Sequence, residues 1–475
     1  MISRMKQFRL LPLLAALLVG GCALTHVDPP KPADPPAQFK EAGVWQRAQA
    51  AQGTAEAVPD DWWTLFNDPV LNDLQAKLLI GNENLKTVAT QVANARALLG
   101  AADAALLPTL SVSGSGTRSK ASSSGNSNVV QSNINNSVSL SANASWELDL
   151  WGRISEGISQ ARANYQASRD DLAAARLSAQ ALLVQTYFTL RTAELQGDML
   201  TRSAAAYQRS LELTQVRYQG GVAAQTDVLQ ARTQLTSTQA QVADNAAQRA
   251  QAEHALAVLL GLPPAALTLA PQAALPTAPE APELLPSTLL ERRPDIAAAQ
   301  ARVQAAYAQI GIADAAYFPS LTLTGSGGYR NNTLSKLIDA PHLFWSIGAS
   351  LAESVLDGGQ RRLASAQARN AADAATSAYR QTVLTAFQEV EDNLVAARQL
   401  AVQADLQSQA VDAARRNLDI VQDQYRAGIV GYLNVVIAQT ALLQAESNLI
   451  GVKDRQLVAV GQLLKNIAGR WDAGH

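Results

Sequence analysis

The residue with the most definite chemistry is Cys22, the only cysteine in 475 residues. It closes the run Leu18-Val19-Gly20-Gly21-Cys22, which resembles a lipobox: a branched residue, two small ones, then the thiol. The small residues let a peptidase thread the backbone tightly, and the thiol is the nucleophile that accepts diacylglycerol. A basic start (Arg4, Lys6, Arg9) and the apolar run Leu10 to Val19 precede it, so residues 1–21 read as a lipoprotein signal peptide. That run is too short to cross a bilayer as a helix, which takes roughly 20 apolar residues. Ala23 follows the cysteine, which favours sorting to the outer membrane. Each buried methylene of an acyl chain contributes about 0.8 kcal/mol, so three chains would hold the protein firmly.

No other set of residues assembles a reaction centre. His26, His254, His342 and His475 share no metal-ligand spacing. With neither a nucleophile motif nor a phosphate loop, no catalysis and no metal are expected, and no cofactor beyond the covalent lipid on Cys22. A single cysteine allows no intrachain disulfide. The 38 basic residues nearly match the 40 acidic ones, which excludes the basic excess of a nucleic-acid binder. Aromatic residues make up only 5% and Ala and Gln abound, which suits long, closely packed helices.

The elements around Cys22 are organised by a duplication. Residues 22–60, with Pro29, Pro30, Pro32, Pro35 and Pro36, read as a lipidated, extended tether. Asn84 to Gly116 then aligns with Asp295 to Gly327, and Gly152 to Leu235 aligns without a gap with Gly359 to Leu442. The first repeat spans 61–261 and the second 287–470. Between them lies the Pro-rich linker 262–286, and 471–475 forms a C-terminal tail. Each copy carries the same order: helix, two strands, a very long helix, a tight turn and a returning helix.

The strands are expected at about 109–117, 137–146, 320–330 and 344–352. Val138, Leu140, Ala142, Ala144 and Trp146 alternate with Ser137, Ser139, Ser141, Asn143 and Ser145. An apolar face opposite a small, hydroxylated one, over about nine residues, is the pattern of a transmembrane barrel strand. A soluble hairpin with one wet face has the same alternation. Trp146, Trp151, Phe344 and Trp345 fall near strand ends, where interfacial aromatics sit. Loops 118–136 and 331–343 are polar, as extracellular turns are.

Four strands cannot close a barrel, and an open sheet edge in lipid leaves unpaired backbone groups that cost several kcal/mol each. Two chains would supply eight strands and three would supply twelve; twelve leaves room for a lumen. Self-association is therefore required.

Ile154 to about Gln219 and Arg361 to about Arg426 lack proline, which allows roughly 100 Å of helix in each copy. The chain then reverses near 220 and near 428. The returning helices carry heptads, Val228-Leu235-Val242-Arg249-Leu256 and Val435-Leu442-Leu449-Gln456-Leu463, with Val436-Leu443-Ile450-Leu457-Leu464 beside the second. Two adjacent seams imply a helix with neighbours on both sides. At the turns, Gly220, Gly221 and Gly428 supply left-handed backbone, while Val222, Ile429 and Val430 put apolar groups at an apex.

Trp62-Trp63-Thr64-Leu65-Phe66-Asn67-Asp68-Pro69-Val70-Leu71 resembles the opening motif of the outer membrane factor (TolC-like) family, in its NodT/OprM-type subgroup of lipidated efflux channels. Leu106-Leu107-Pro108, Trp146 to Arg153, Arg292-Arg293-Pro294-Asp295-Ile296 and Tyr425-Arg426-Ala427-Gly428 match further patterns of that family, and the likeness runs from Trp62 to Trp471. The resemblance implies a mainly α fold with a small β part. It implies a homotrimer with a twelve-stranded β-barrel in the outer membrane and an α-helical coiled-coil barrel crossing the periplasm. Its tips would dock on a periplasmic adaptor (membrane fusion) protein linked to an inner-membrane pump of the resistance-nodulation-division (RND) class. The channel would be a passive exit duct for drugs or other small molecules.

The resemblance also implies a periplasmic gate, for which Asp227, Asp419, Asp423, Tyr425, Arg426 and Asn434 are the candidates, with Gly220, Gly221, Val222, Gly428, Ile429 and Val430 as docking tips. Some relatives carry acids where Asn434 and Ile437 stand, so an acidic ring is not expected here. Asp423 and Arg426 form either the closing contact or a solvated helix face. Two rival readings are the channel of a type I protein secretion system, which shares the fold, and a structural periplasmic coiled-coil lipoprotein.

Overall fold

The computed structural model describes residues 26–29, 40, 61–120, 134–272, 274–279 and 293–467. The signal peptide, Cys22, most of the tether, much of the linker and the C-terminal tail lie outside the described residues. The chain is mainly helical with one small sheet, and apart from an opening 3-10 turn and first helix its elements come twice in the same order. After a short 3-10 turn at Trp62–Phe66 come α1 (Pro69–Gly81), α2 (Glu83–Ala104), β1 (Thr109–Lys120) and β2 (Ile134–Leu148). Helices α3 (Arg153–Gln219) and α4 (Gln225–Leu259) complete the first series. The second has α5 (Pro294–Ala315), β3 (Ser320–Asn331), β4 (Leu343–Ala352), α6 (Gln360–Arg426) and α7 (Tyr432–Ile467). Helices α3 and α6 are each 67 residues long.

The four strands form one antiparallel sheet in the order β1-β2-β3-β4. Its register puts Leu110 opposite Ala144 and Val112 opposite Ala142, then Trp146 opposite Leu323 and Leu321 opposite Leu351, all on one face. The other face carries Ser113 opposite Ser141, Ser115 opposite Ser139 and Ser326 opposite Ser346. These serines bond across the strands at 3.1, 2.8 and 3.0 Å. β1 and β2 run past the expected ends, pairing Arg118 with Asn136 and Lys120 with Ile134. The alternation of apolar residues reports which face is buried or lipid-facing, whereas the ladder continues as long as backbone can pair. At Gly328 a Cβ would stand 2.1 Å from the Leu140 carbonyl oxygen, so only glycine admits β2 so close to β3.

Packing divides the chain along lines other than the repeat. One unit draws on Met1–Pro32, Gln91–Arg169 and Ala298–Tyr379, the other on Ala33–Thr90, Asp170–Ala297 and Arg380–His475. Each unit thus takes segments from both copies. The first holds the sheet, with α5 and α6 joined where Asp314 accepts hydrogen bonds from Ser365 at 2.7 Å and Arg369 at 2.8 Å.

The second unit has its core where Trp62, Phe66, Leu71, Leu74 and Leu78 pack on Leu183, Val184, Tyr187, Phe188, Leu256 and Leu464. The Trp62–Leu71 motif is therefore a structural plug. Its Asp68 caps α1, accepting from the backbone N–H of Val70 at 2.9 Å and Leu71 at 3.2 Å. The Tyr187 hydroxyl donates to the same carboxylate at 2.5 Å. Burial, reinforced by that carboxylate, raises the Tyr187 pKa above the ordinary phenol value. Helix α7 is long and apolar enough to cross a membrane, yet Leu457, Val460, Leu464 and Ile467 lie in this core.

On α4 the expected Leu235 and Leu256 are buried, and so is a second series at seven-residue spacing, Ala231, Thr238, Asn245 and Ala252. That second heptad series is small or polar, so hydropathy does not reveal it. Asn245 donates to the Ala193 carbonyl at 2.8 Å, and a Cβ on Gly197 would come within 2.8 Å of its amide nitrogen. Small residues let the two helices approach closely. Arg249, on the apolar heptad, is paired with Glu194 at 3.1 Å and Glu253 at 3.2 Å.

Replacing Asp68 by Ala removes the α1 cap and strands a buried tyrosine hydroxyl. The expected loss is about 2–4 kcal/mol, to be read as a lowered midpoint in denaturant titration, with Asp68→Asn recovering part of it.

Candidate functional site

Both hairpin ends are built by the same backbone device. At the end of α3, Val222 N donates to the Arg217 carbonyl at 2.9 Å and Gly221 N to that of Tyr218 at 3.0 Å, with Gly221 at φ +75°. At the end of α6, Ile429 N donates to Gln424 O at 2.9 Å and Gly428 N to Tyr425 O at 3.0 Å, with Gly428 at φ +77°. Each is a Schellman ending, in which glycine takes the left-handed position. The next residue commonly folds back onto the helix. Here Val222 is 67% exposed and Ile429 73%, leaving branched apolar groups presented outward.

Behind these turns lies a tyrosine cluster. Tyr207, Leu211, Ala231, Leu235, Tyr425, Tyr432 and Val435 pack together, with the rings of Tyr425 and Tyr432 edge to face at 5.5 Å. The hydroxyls of Thr214 and Tyr425 lie 3.3 Å apart, and Tyr207 donates to the Gln439 carbonyl at 3.2 Å. Arg217, from the first copy, holds the second. Its Nη1 donates to the carbonyls of Tyr425 at 2.9 Å and Arg426 at 3.3 Å, and its guanidinium lies 4.7 Å from the Tyr425 ring centroid. A cation at the carbonyl end of a helix satisfies unpaired acceptors and offsets the helix dipole.

The gate candidates separate on this geometry. Tyr425 is buried in the cluster rather than exposed on the hairpin surface, because it packs beneath Arg217. Arg426 and Asp423 pair with one another at 2.9 Å, exposed on the same helix. Asp227 is half-buried and close enough to Tyr432 to act on it electrostatically. Asp419 and Asn434 are exposed, the latter turned to the Gly431 carbonyl at 3.5 Å. Sequence reading missed Arg217, Thr214, Tyr432 and Gln439. The signal for Arg217 was a mismatch between copies, since Gln424 stands at its aligned position.

Of the four aromatic candidates, Trp146 and Trp345 lie on the apolar sheet face, Trp345 being 72% exposed opposite Gly327. The Trp146 indole donates to the Leu106 carbonyl at 2.9 Å. Trp151 follows β2, stacks on Phe318 at 4.9 Å and donates to the Pro319 carbonyl at 2.7 Å. Phe344 is a correction: adjacent to Trp345 on a strand, it points to the hydroxylated face, where Arg330 lies 5.2 Å from its ring. Cys22 lies outside the described residues, but His26 does not. Its Nδ1 donates to Glu156 at 2.8 Å, and its Nε2 is 3.3 Å from Asp28. Val27 packs on Ile310, Ala313, Ala368 and Ala372.

An exposed apolar strand face in a chain that also carries long helical hairpins is the combination of a barrel-forming outer-membrane protein. The family model for the outer membrane efflux protein matches residues 74–262 and 285–469, once for each copy. The chain is 31% identical over 98% of its length to the solvent efflux pump outer membrane protein SrpC of Pseudomonas putida, covering 99% of it. It is likewise 31% identical over 99% of its length to the outer membrane protein OprJ of Pseudomonas aeruginosa, covering 98% of that protein. The solved structure of the outer-membrane channel OprN superposes with a TM-score of 0.84 at 27% identity, over 94% of this chain and 99% of that one. The chain belongs to the outer membrane efflux protein family. It is an outer-membrane protein, and its function is that of the outer-membrane component of an efflux pump, a transport protein.

Two outcomes follow from the contacts above. Arg217→Ala removes a helix cap and a ring contact together worth about 1–3 kcal/mol. Faster amide exchange at 425–432 and a higher open probability in planar bilayers are expected, while Arg217→Lys keeps part of the cap. At His26, the Glu156 hydrogen bond holds the imidazole above its ordinary value of 6.5. The contact is thus complete below that value and lost as pH rises through the raised one. Exchange protection of residues 26–29 should fall as pH rises above 6.5 in the wild type, and be low throughout in His26→Ala.

Proposed function

We propose that three copies of this chain close a twelve-stranded barrel in the outer membrane, each supplying one four-stranded sheet, and that their helices enclose a duct through which cargo leaves the periplasm. The observation that carries this reading is the two-faced sheet with β1 and β4 at its edges. Its apolar face suits lipid, and its edges demand strand partners there. The serine-laced face then lines the lumen, where hydroxyls already paired across strands offer water a surface and cargo no tight pocket.

The duct is passive. The energy comes from partner proteins: an inner-membrane pump of the RND class and a periplasmic adaptor docking on Gly220–Val222 and Gly428–Val430. The outward Val222 and Ile429 support that docking. Gating lies at the same hairpin ends, with Asp423 and Arg426 on their surface and Arg217 and Tyr425 holding them from within. A lipid on Cys22 anchors the chain. The solvent efflux named for SrpC supports small apolar molecules as cargo.

Reconstitution tests the faces directly. Heat-resistant trimers with single-channel conductance are expected, and intact mass should show acylation that Cys22→Ser abolishes. Ser141→Trp, on the hydroxylated face, should lower conductance, whereas Ala142→Trp, its neighbour on the apolar face, should leave it unchanged. Equal effects of the two substitutions would refute the assignment of lumen and lipid.

A further inference from the structure

The two ends of the sheet differ in charge. At the end next to the helices, acids and bases are mixed and paired. Arg153 meets Glu147 at 2.8 Å and Arg361 meets Asp357 at 2.7 Å. The Asp357 carboxyl is held down at about 2 by Arg361 and by the backbone N–H groups of Arg361 and Gly359.

At the far end the balance is lost. Between Asp103 and Glu147 the sequence contains no Asp or Glu, yet it contains Arg118 and Lys120. The β3–β4 connection adds Lys336 and His342 against one acid, Asp339.

The register fixes where the two β1 cations project. Arg118 lies opposite Asn136 and Lys120 opposite Ile134, on the same side as Leu110 and Val112, because side chains two apart share a face. Both are exposed, as are Leu110, Val112, Trp345, Ile347 and Leu351 on that face. From Leu110 the strand climbs about 3.4 Å per residue. At a tilt of about 40°, Arg118 and Lys120 stand roughly 20 to 26 Å up the membrane normal, matching the height of about 25 Å of an apolar band. Cations on a lipid-facing strand are well tolerated only near an interface. These two therefore sit at the headgroup level of the leaflet away from the helices. Arg330 stands apart, on the hydroxylated face against Phe344.

We propose that Arg118 and Lys120 form an outward rim that binds the phosphate groups of an anionic lipid in the outer leaflet. This rests on the reading of the apolar face as lipid-facing. The occupant follows from charge and position. Two cations about 7 Å apart on one face, with no carboxylate nearby in sequence to neutralise them, suit a headgroup carrying two phosphate esters. The guanidinium takes phosphate bidentately and the ammonium as a point charge, while the apolar residues below meet the acyl chains.

The test reconstitutes the purified full-length channel into phosphatidylcholine vesicles doped with a bisphosphorylated glycolipid. Lipid retained after mild detergent extraction is counted by native mass spectrometry. The wild type should retain the doped lipid roughly tenfold or more over the neutral one. The double variant Arg118→Gln, Lys120→Gln should retain both alike, and Arg330→Gln should match the wild type. Equal retention by the wild type and the double variant overturns the proposal. Displacement by inorganic phosphate at matched concentration overturns it too, assigning the rim to free anion. Conductance on the same vesicles separates the two readings: a channel that conducts without lipid preference sinks this inference alone, and a protein that neither inserts nor conducts sinks the barrel.

Discussion

The structure depends on the unsatisfied backbone at the two edges of its sheet. β1 and β4 each present a row of N–H and C=O groups with no neighbouring strand among the described residues. In water such an edge can be hydrated, but in hydrocarbon each orphan group costs several kcal/mol. No side-chain choice compensates a whole edge, so strands from other copies have to. The same constraint explains the sheet's composition. Ser113, Ser115 and Ser326 spend their hydroxyls on cross-strand partners, leaving a face that is polar yet small. Gly325 and Gly327 lie opposite Ile347 and Trp345, so bulk on one strand fills the space left by its neighbour.

The long helices meet a different constraint, which is close approach over a great length. A conventional apolar seam would hold two helices together but keep them apart by the size of leucine. The buried Ala231, Thr238, Asn245 and Ala252 on α4 show the alternative, one large seam beside one small one. Polar groups in the small seam are satisfied locally, Thr238 by the Gln234 carbonyl at 2.9 Å and Asn245 by Ala193. Such a surface packs tightly without presenting broad apolar area.

What the sequence disclosed follows from this division. The duplication, the strand pairs, the long helices and both reversals were legible because they rest on proline, glycine and period-two or heptad spacing, which act locally. Strand ends were less legible, since the ladder runs on through Arg118 to Lys120, where the apolar alternation has stopped. Phe344 was misplaced because proximity to Trp345 in sequence means opposite faces in a strand. Tyr425 stands next to the exposed Arg426 in sequence, and its burial involves Arg217, more than two hundred residues away. The Trp62–Leu71 motif announced a family, while its physical role as a capped plug against Phe188 and Tyr187 emerged only from tertiary packing.

Duplication makes departures between the copies informative. The turns after α3 and α6 have the same hydrogen bonds and the same left-handed glycine, so backbone geometry alone makes the two hairpin ends interchangeable. They are not, because Arg217 aligns with Gln424. The guanidinium closes the carbonyl end of α6 and covers Tyr425, and the neutral amide at the aligned position brings no charge with which to return the contact. The clasp therefore runs one way, from the first copy to the second. Displacing the second hairpin end must break a charge-assisted cap and uncover a ring, costs that the backbone of the turn itself does not impose. An asymmetry of one residue is enough to make one of two similar hairpins the held one.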